Sequence, residues 1–250
     1  MSAPTWFALG AGQSKKRWWR DVSVRTVAHG FEIWLDARQL RSPARSDFVL
    51  PNRTMAEAIA AEFNAQLTPI DPQSMPVTRA ANAAIDKVSP RKREVVAELA
   101  GYGGADLLCY RAGEPARLRA RQDAVWQPCL DWAAERFNAP LTVYTGVIHG
   151  VQPQASLDRL TMVVARFDAF ELTALHDLVA ISGSLMLGLT VGDGKLSASD
   201  GFDISRIDEV WQAELWGFDA DAEAVVALKR QAYLQAENFL RLARDTAATA

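Results

Sequence analysis

Residues 22–40 read Val-Ser-Val-Arg-Thr-Val-Ala-His-Gly-Phe-Glu-Ile-Trp-Leu-Asp-Ala-Arg-Gln-Leu. Val22, Val24 and Thr26 alternate with Ser23 and Arg25, and beyond His29-Gly30, Phe31, Ile33 and Leu35 alternate with Glu32 and Trp34. A period of two with β-branched and aromatic residues, interrupted by a glycine, predicts antiparallel strands with one buried face. Ala37 stands where a tight hairpin prefers glycine, so the turn after Leu35 is expected to be longer or of another kind. Phe48-Val49-Leu50 closes the β pattern at Pro51, and Thr54 with Glu57 has capping-box spacing ahead of Met55, Ile59 and Phe63.

Beyond that helix, Pro69, Pro72 and Pro76 exclude long regular structure and mark a crossing segment. Ser89-Pro90 predicts a capped helix through Leu99, stopped by Gly101, Gly103 and Gly104. Leu118, Val125, Cys129, Trp132 and Phe137 form a long helical stripe, kinked or split at Pro128, and Leu157, Leu160, Val164 and Phe167 form another. Asp168 with Glu171 caps an apolar helix ending near Gly192-Asp193-Gly194. Ser197 opens the next, which closes at Gly217, and a final helix carries Val225, Leu228, Ala232, Ala236, Phe239 and Ala243 on one face. Strands first and helices afterwards predict an α+β fold: a β-rich N-terminal domain with one helix over 1–88, then an all-helical C-terminal domain over 89–250.

The 250 residues are 49% hydrophobic and 23% charged, with a net charge of −3, which excludes disordered and collagen-like classes. That small total conceals a polarity. Residues 1–125 hold 18 Lys+Arg against 13 Asp+Glu, whereas residues 126–250 hold 9 against 17. The two cysteines, Cys109 and Cys129, fit no zinc or redox spacing and read as buried thiols in a reducing compartment. No secretory signal is evident, since the basic cluster Lys15-Lys16-Arg17 follows the apolar residues.

Catalytic signatures are missing. His29, His149 and His176 fall in separate elements, and His176-Asp177 within a helix reads as a structural pair. Ile181-Ser182-Gly183-Ser184 lacks the G-x-S-x-G frame. Gly192-Asp193-Gly194-Lys195 fails as a P-loop, because Leu189 and Leu196 occupy the places of the first glycine and the Ser/Thr. No cofactor or metal is expected, and an enzyme would need groups converging from distant positions.

Two surfaces remain. Lys15 to Arg20, Lys-Lys-Arg-Trp-Trp-Arg, interleaves cations with aromatics, as a nucleic-acid or anionic-membrane adaptor would; inward-packed tryptophans with solvated cations are the plainer reading. Over Ala198–Trp216 a single helix would put Ile204, Ile207, Trp211 and Leu215 on a core stripe, with Phe202, Ser205, Glu209, Gln212 and Trp216 opposite. Either Glu209 is buried with a partner, or two aromatics bracketing polar groups form a recognition face. Between Asp193 and Glu223, nine acids face only Lys195 and Arg206.

Longer blocks then resemble one family. They are Gly30-Phe31-Glu32 through Arg38, Ser42-Pro43-Ala44, Ala56 through Phe63, Met75 through Arg79, and Tyr102-Gly103-Gly104-Ala105-Asp106-Leu107-Leu108-Cys109-Tyr110-Arg111. Arg121-Gln122 with Trp126 and Pro128, Ser182 through Leu185, and Asp208-Glu209-Val210-Trp211-Gln212 with Trp216-Gly217 continue the series. Together they resemble the assembly chaperones of the alpha subunit of F-type ATP synthase, over roughly residues 15–245. The resemblance implies a non-enzymatic protein that binds the free alpha subunit, keeps it from aggregating and delivers it to beta subunits. It implies a critical role for Glu209, with Glu214 as a second candidate. From the helix face itself, Phe202, Gln212 and Trp216, with neighbouring acids, are expected to contact the client alongside Glu209. Ala37 departs from the family's frequent glycine. Neither nucleic acid nor stable membrane insertion is expected. Bacterial cytoplasm is the expected location, or the mitochondrial matrix for a processed eukaryotic member.

Overall fold

The computed structural model describes residues 16–148, 150–217 and 219–245, so Lys15, His149 and the tail after Asp245 lie outside the described residues. The chain divides into two compact units, one of Met1–Pro90 with Arg241–Ala250 and the other of Arg91–Leu240.

In the first unit, β1 (Val22–Val27) and β2 (Gly30–Leu35) pair antiparallel, with Val24 opposite Ile33. Phe31, Ile33 and Leu35 are buried, as the period-two pattern requires. β3 (Arg38–Gln39) and β4 (Val49–Leu50) both pair with β2. Leu35 lies opposite Arg38, so the turn over Asp36-Ala37 is a tight two-residue hairpin, contrary to the expectation from Ala37. Asp36 supplies the left-handed residue (φ 51°) and is held there by its carboxylate, which accepts from Arg20 N at 3.0 Å and Asp21 N at 2.8 Å. Gly30, at φ 145°, passes so close to Leu50 O that a β-carbon would lie 2.2 Å from it.

α1 (Arg53–Asn64) packs Met55, Ile59 and Phe63 inward. Its cap is Asn52, not the Thr54–Glu57 box, because the Asn52 side chain already accepts from Met55 N at 2.8 Å. The same amide donates to Leu242 O (2.8 Å) and Ala243 O (3.1 Å), which brings the chain's last helical turn into this unit. Glu62 caps α2 (Pro76–Ala83) by accepting from Val77 N and Thr78 N, each at 2.8 Å. The basic-aromatic segment is built in through Arg17 and Trp19, whereas Lys16, Trp18 and Arg20 are exposed. Trp19 is buried edge-on to Phe63, and Arg17 donates to Asn64 O and Gln66 O.

The second unit contains α3 (Lys92–Gly101), α4 (Ala116–Phe137), α5 (Gln154–Ala165), α6 (Ala169–Ser182), α7 (Leu185–Gly192), α8 (Ala198–Ser205), α9 (Ile207–Trp216) and most of α10 (Ala220–Arg244). It is not purely helical: β5 (Tyr110–Arg111) and β6 (Tyr144–Thr145) pair in parallel, with Tyr110 stacked on Tyr144. Ser89–Arg91 is a short 3-10 turn, so α3 begins later than Ser89-Pro90 suggested. Pro128 sits inside α4 without ending it. The Asp168–Glu171 capping box forms, but the apolar helix stops at Gly183, whose φ of 73° terminates α6, and Ser184 caps α7 anew. Among the described residues, no helix is long and apolar enough to cross a membrane.

Candidate functional site

The helix expected over Ala198–Trp216 is two helices. Arg206 (φ −110°, ψ 16°) ends α8, and α9 starts anew at Ile207. The break separates residues that a continuous periodicity would place together. Phe202, 2% exposed, is a core side chain between the Tyr233 ring and the Arg230 guanidinium, and Ser205 is buried beside it. Glu209, Gln212, Glu214 and Trp216 are exposed, so Phe202 does not share their face. Of the expected core stripe, Ile204, Ile207 and Trp211 are only half-buried and Leu215, 59% exposed, faces solvent. On the rest of α9, Val210 is exposed and Trp216 is 79% exposed, and α9 holds no fully buried residue.

A helix without buried side chains must be held by other means. α4 holds this one. The Gln122 amide donates to Asp208 at 2.6 Å, and Arg121 donates to both oxygens of Glu214 at 2.8 and 2.9 Å. The Arg121 guanidinium lies 5.1 Å over the Trp211 ring. Trp126, fully buried, donates its indole N–H to Ile204 O at 2.8 Å and so anchors the end of α8. Glu209 has 55% of its side chain exposed, and Arg206 approaches it only to 3.9 Å. Hence Glu209 is not the buried, partnered carboxylate that one reading allowed.

α4 is itself fixed by the segment after α3. Arg111, buried, bonds Asp123 at 3.0 Å and Leu108 O, and packs over Trp126. Asp106 is wholly buried and accepts from Ser184 Oγ (2.7 Å), Met186 N and Leu108 N (3.0 Å each). Desolvation pushes its carboxyl up to about 6, with these bonds pulling the other way. Burial likewise pushes the Cys109 thiol up to about 12 and Cys129 to about 11, so both are inert side chains. His176 is buried with Nδ1 3.3 Å from Asp177, within a structural pair. Among the described residues, no group of three or more His, Cys, Asp or Glu side chains is placed to hold a metal ion.

The sequence blocks thus meet in space as two pairs: the Tyr102–Arg111 block with Ser182–Leu185 through Asp106, and the Arg121–Pro128 block with Asp208–Gln212 through Gln122. A family model described as ATP12 chaperone protein matches residues 16–134. The crystal structure of Atp12 from Paracoccus denitrificans is 45% identical over 92% of this chain and 98% of that one, with a TM-score of 0.89. The chain belongs to the ATP12 chaperone family. A point mutant of P. denitrificans Atp12p matches equally well, at 44% identity over the same shares of both chains and a TM-score of 0.90. A crystal structure from Agrobacterium tumefaciens is 35% identical over 90% of this chain and 86% of that one, with a TM-score of 0.82. ATP12 membership agrees with the family that the sequence blocks resemble. What residue patterns alone missed was the supporting role of Arg121, Gln122 and Trp126. Their signal was their place in the Arg121–Pro128 block, which marks the segment but not the partner it holds.

Proposed function

We propose that this chain is an ATP synthase assembly chaperone that binds the free alpha subunit of the F-type enzyme, shields it from aggregation and passes it to beta subunits without hydrolysing ATP. One observation carries the reading: α9 offers Val210, Leu215 and Trp216 to solvent beside Glu209 while being tethered from behind by α4. Exposed apolar anchors within an acidic frame suit a reversible grip on an apolar, aggregation-prone surface. Glu209, Gln212 and Trp216 would contact the client directly. Glu214 would act through α9, because Arg121 occupies its carboxylate. Phe202, being buried, would support the helix junction rather than touch the client.

Among the described residues of the basic-aromatic segment, Arg17 and Trp19 are spent on the fold and only Lys16, Trp18 and Arg20 are exposed, which weighs against a nucleic-acid or anionic-membrane adaptor. A bacterial cytoplasmic location, or the mitochondrial matrix in a eukaryote, goes with the reading. The test is suppression of alpha-subunit aggregation, followed by light scattering, with Glu209→Lys and Trp216→Ala. Both variants should fold, since both side chains are exposed, and both should lose most of the protection. Folded variants that protect as well as the unaltered chain would sink the assignment.

A further inference from the structure

Beside Glu209 lies a pocket of about 290 Å3 at the junction of α6, α8, α9 and α10. Leu107, Ile181 and Phe202 supply apolar lining, and Arg206, Asp208, Glu209 and Lys229 supply charge, Asp208 being engaged by the Gln122 amide. That volume can admit one large side chain. Both serine hydroxyls that reach it are spent as donors on main-chain carbonyls, Ser182 on Leu178 O and Ser205 on Phe202 O, each at 2.7 Å. It therefore offers an anion no hydroxyl donor. The last turn of α6 brings its carbonyl-rich, negative end to the wall at Ala180–Ser182. Arg206 already lodges a guanidinium there, 5.8 Å over the Phe202 ring and 3.9 Å from the Glu209 carboxylate. From Ile207 to Leu228 the sequence carries six acids and no Lys or Arg, so the field around the pocket favours an incoming cation.

We propose that this pocket seats one lysine or arginine side chain of the captured alpha subunit, its stem along Phe202, Ile181 and Leu107 and its charged end on Glu209. The assignment rests on the alpha-subunit reading above and gives it a chemistry. A long cationic side chain satisfies both the apolar lining and the loosely paired carboxylate, displacing Arg206 from its long contact. Lys229 then opposes the ligand. It sits at the rim, exposed, with no ion pair among the described residues, and so it limits affinity.

The test is the dissociation constant of the full chain for purified alpha subunit, measured at low and high salt, with melting curves as the folding control. Glu209→Gln should weaken binding by about tenfold. Ala180→Phe, which fills the pocket from an exposed position on α6, should weaken it to a similar degree, about tenfold. Lys229→Ala should tighten binding by about two- to threefold, and Lys229→Glu further, with the gain shrinking as salt is added. Weaker binding by both Lys229 variants would overturn the assignment in favour of an anionic occupant. Indifference to Ala180→Phe with Lys229 also silent would mean that the pocket is not entered, although the alpha-subunit reading would stand. No retention of the alpha subunit by the unaltered chain would overturn that reading and the pocket with it. If Ala180→Phe lowers the melting temperature, the two Lys229 variants decide.

Discussion

The buried side-chain amide of Gln122 donates to the carboxylate of Asp208 at 2.6 Å, and its oxygen accepts from Ala112 N at 2.7 Å. One amide on α4 therefore fixes both the strand entering α4 and the first turn of the exposed helix α9. Replacing Gln122 by Ala leaves the half-buried Ala112 N–H and the Asp208 carboxylate without this partner and should cost about 1–3 kcal/mol, read from chemical unfolding. Gln122→Glu keeps the acceptor for Ala112 but sets a carboxylate against Asp208. It should raise hydrogen exchange over residues 207–216 more than Gln122→Ala does. Equal protection of those residues in both variants would show that α9 is held some other way.

Arg121 and Glu214 form an ion pair with side chains 46% and 41% exposed. Screening by water limits such a pair to about 1 kcal/mol or less of coupling in a double-mutant cycle. Arg121→Ala should cost more than Glu214→Ala, because it also removes the contact with the Trp211 ring. If Glu214→Ala abolishes client capture while Arg121→Ala does not, Glu214 touches the client directly and the supporting role fails.

Asn52 both caps α1 and holds the carbonyls of Leu242 and Ala243. Asn52→Asp keeps the cap but loses the two donated bonds and places a carboxylate near carbonyl oxygens. Asn52→Ala loses everything and should cost about 2 kcal/mol, combining the usual cap loss with one net hydrogen bond. Asn52→Asp should fall between the two in melting temperature. A variant ranking with Asp at the wild-type level would mean that the contacts to residues 242–243 contribute nothing.

Asp106 makes a prediction about pH. Its folded pKa of about 6 lies above the ordinary 3.8, so between these values the folded state binds more protons than the unfolded chain. Stability from this group is therefore greatest below pH ~4 and declines as pH rises to ~6, by on the order of 2–3 kcal/mol. Other carboxylates titrate in the same range, so the difference between the unaltered chain and Asp106→Asn isolates the effect. That difference should shift against the unaltered chain as pH rises from ~4 to ~6. A difference that stays flat would mean that Asp106 is ionised throughout, held by Ser184 and the two main-chain donors.

Much of the architecture was readable from short-range pattern. The alternation of Val22 to Leu35 needs only the geometry of a pleated strand, and Asp168 with Glu171 needs only the spacing of one helical turn. Where such local rules have two solutions, neighbours decide. Thr54–Glu57 has the spacing of a cap, yet Asn52 wins because it can serve α1 and the last turn of α10 together. Ala37 disfavours a tight turn, yet Asp36 takes the positive φ because Arg20 and Asp21 present their N–H groups to its carboxylate.

The candidate site divides along the same line. The sequence by itself determined that the acidic surplus gathers around Asp193–Glu223 and that Glu209, Gln212 and Trp216 belong to one helix, since composition and i, i+3 spacing require no neighbours. Only the tertiary structure decided that the chain breaks at Arg206, which carries neither glycine nor proline as a warning, so that Phe202 turns inward and Glu209 outward. Only it decided, too, that Leu215, expected on the core stripe, faces water. An apolar stripe says which side of a helix seeks cover, but cover comes from another element, and over α9 the folded chain supplies polar tethers from α4 instead of a lid.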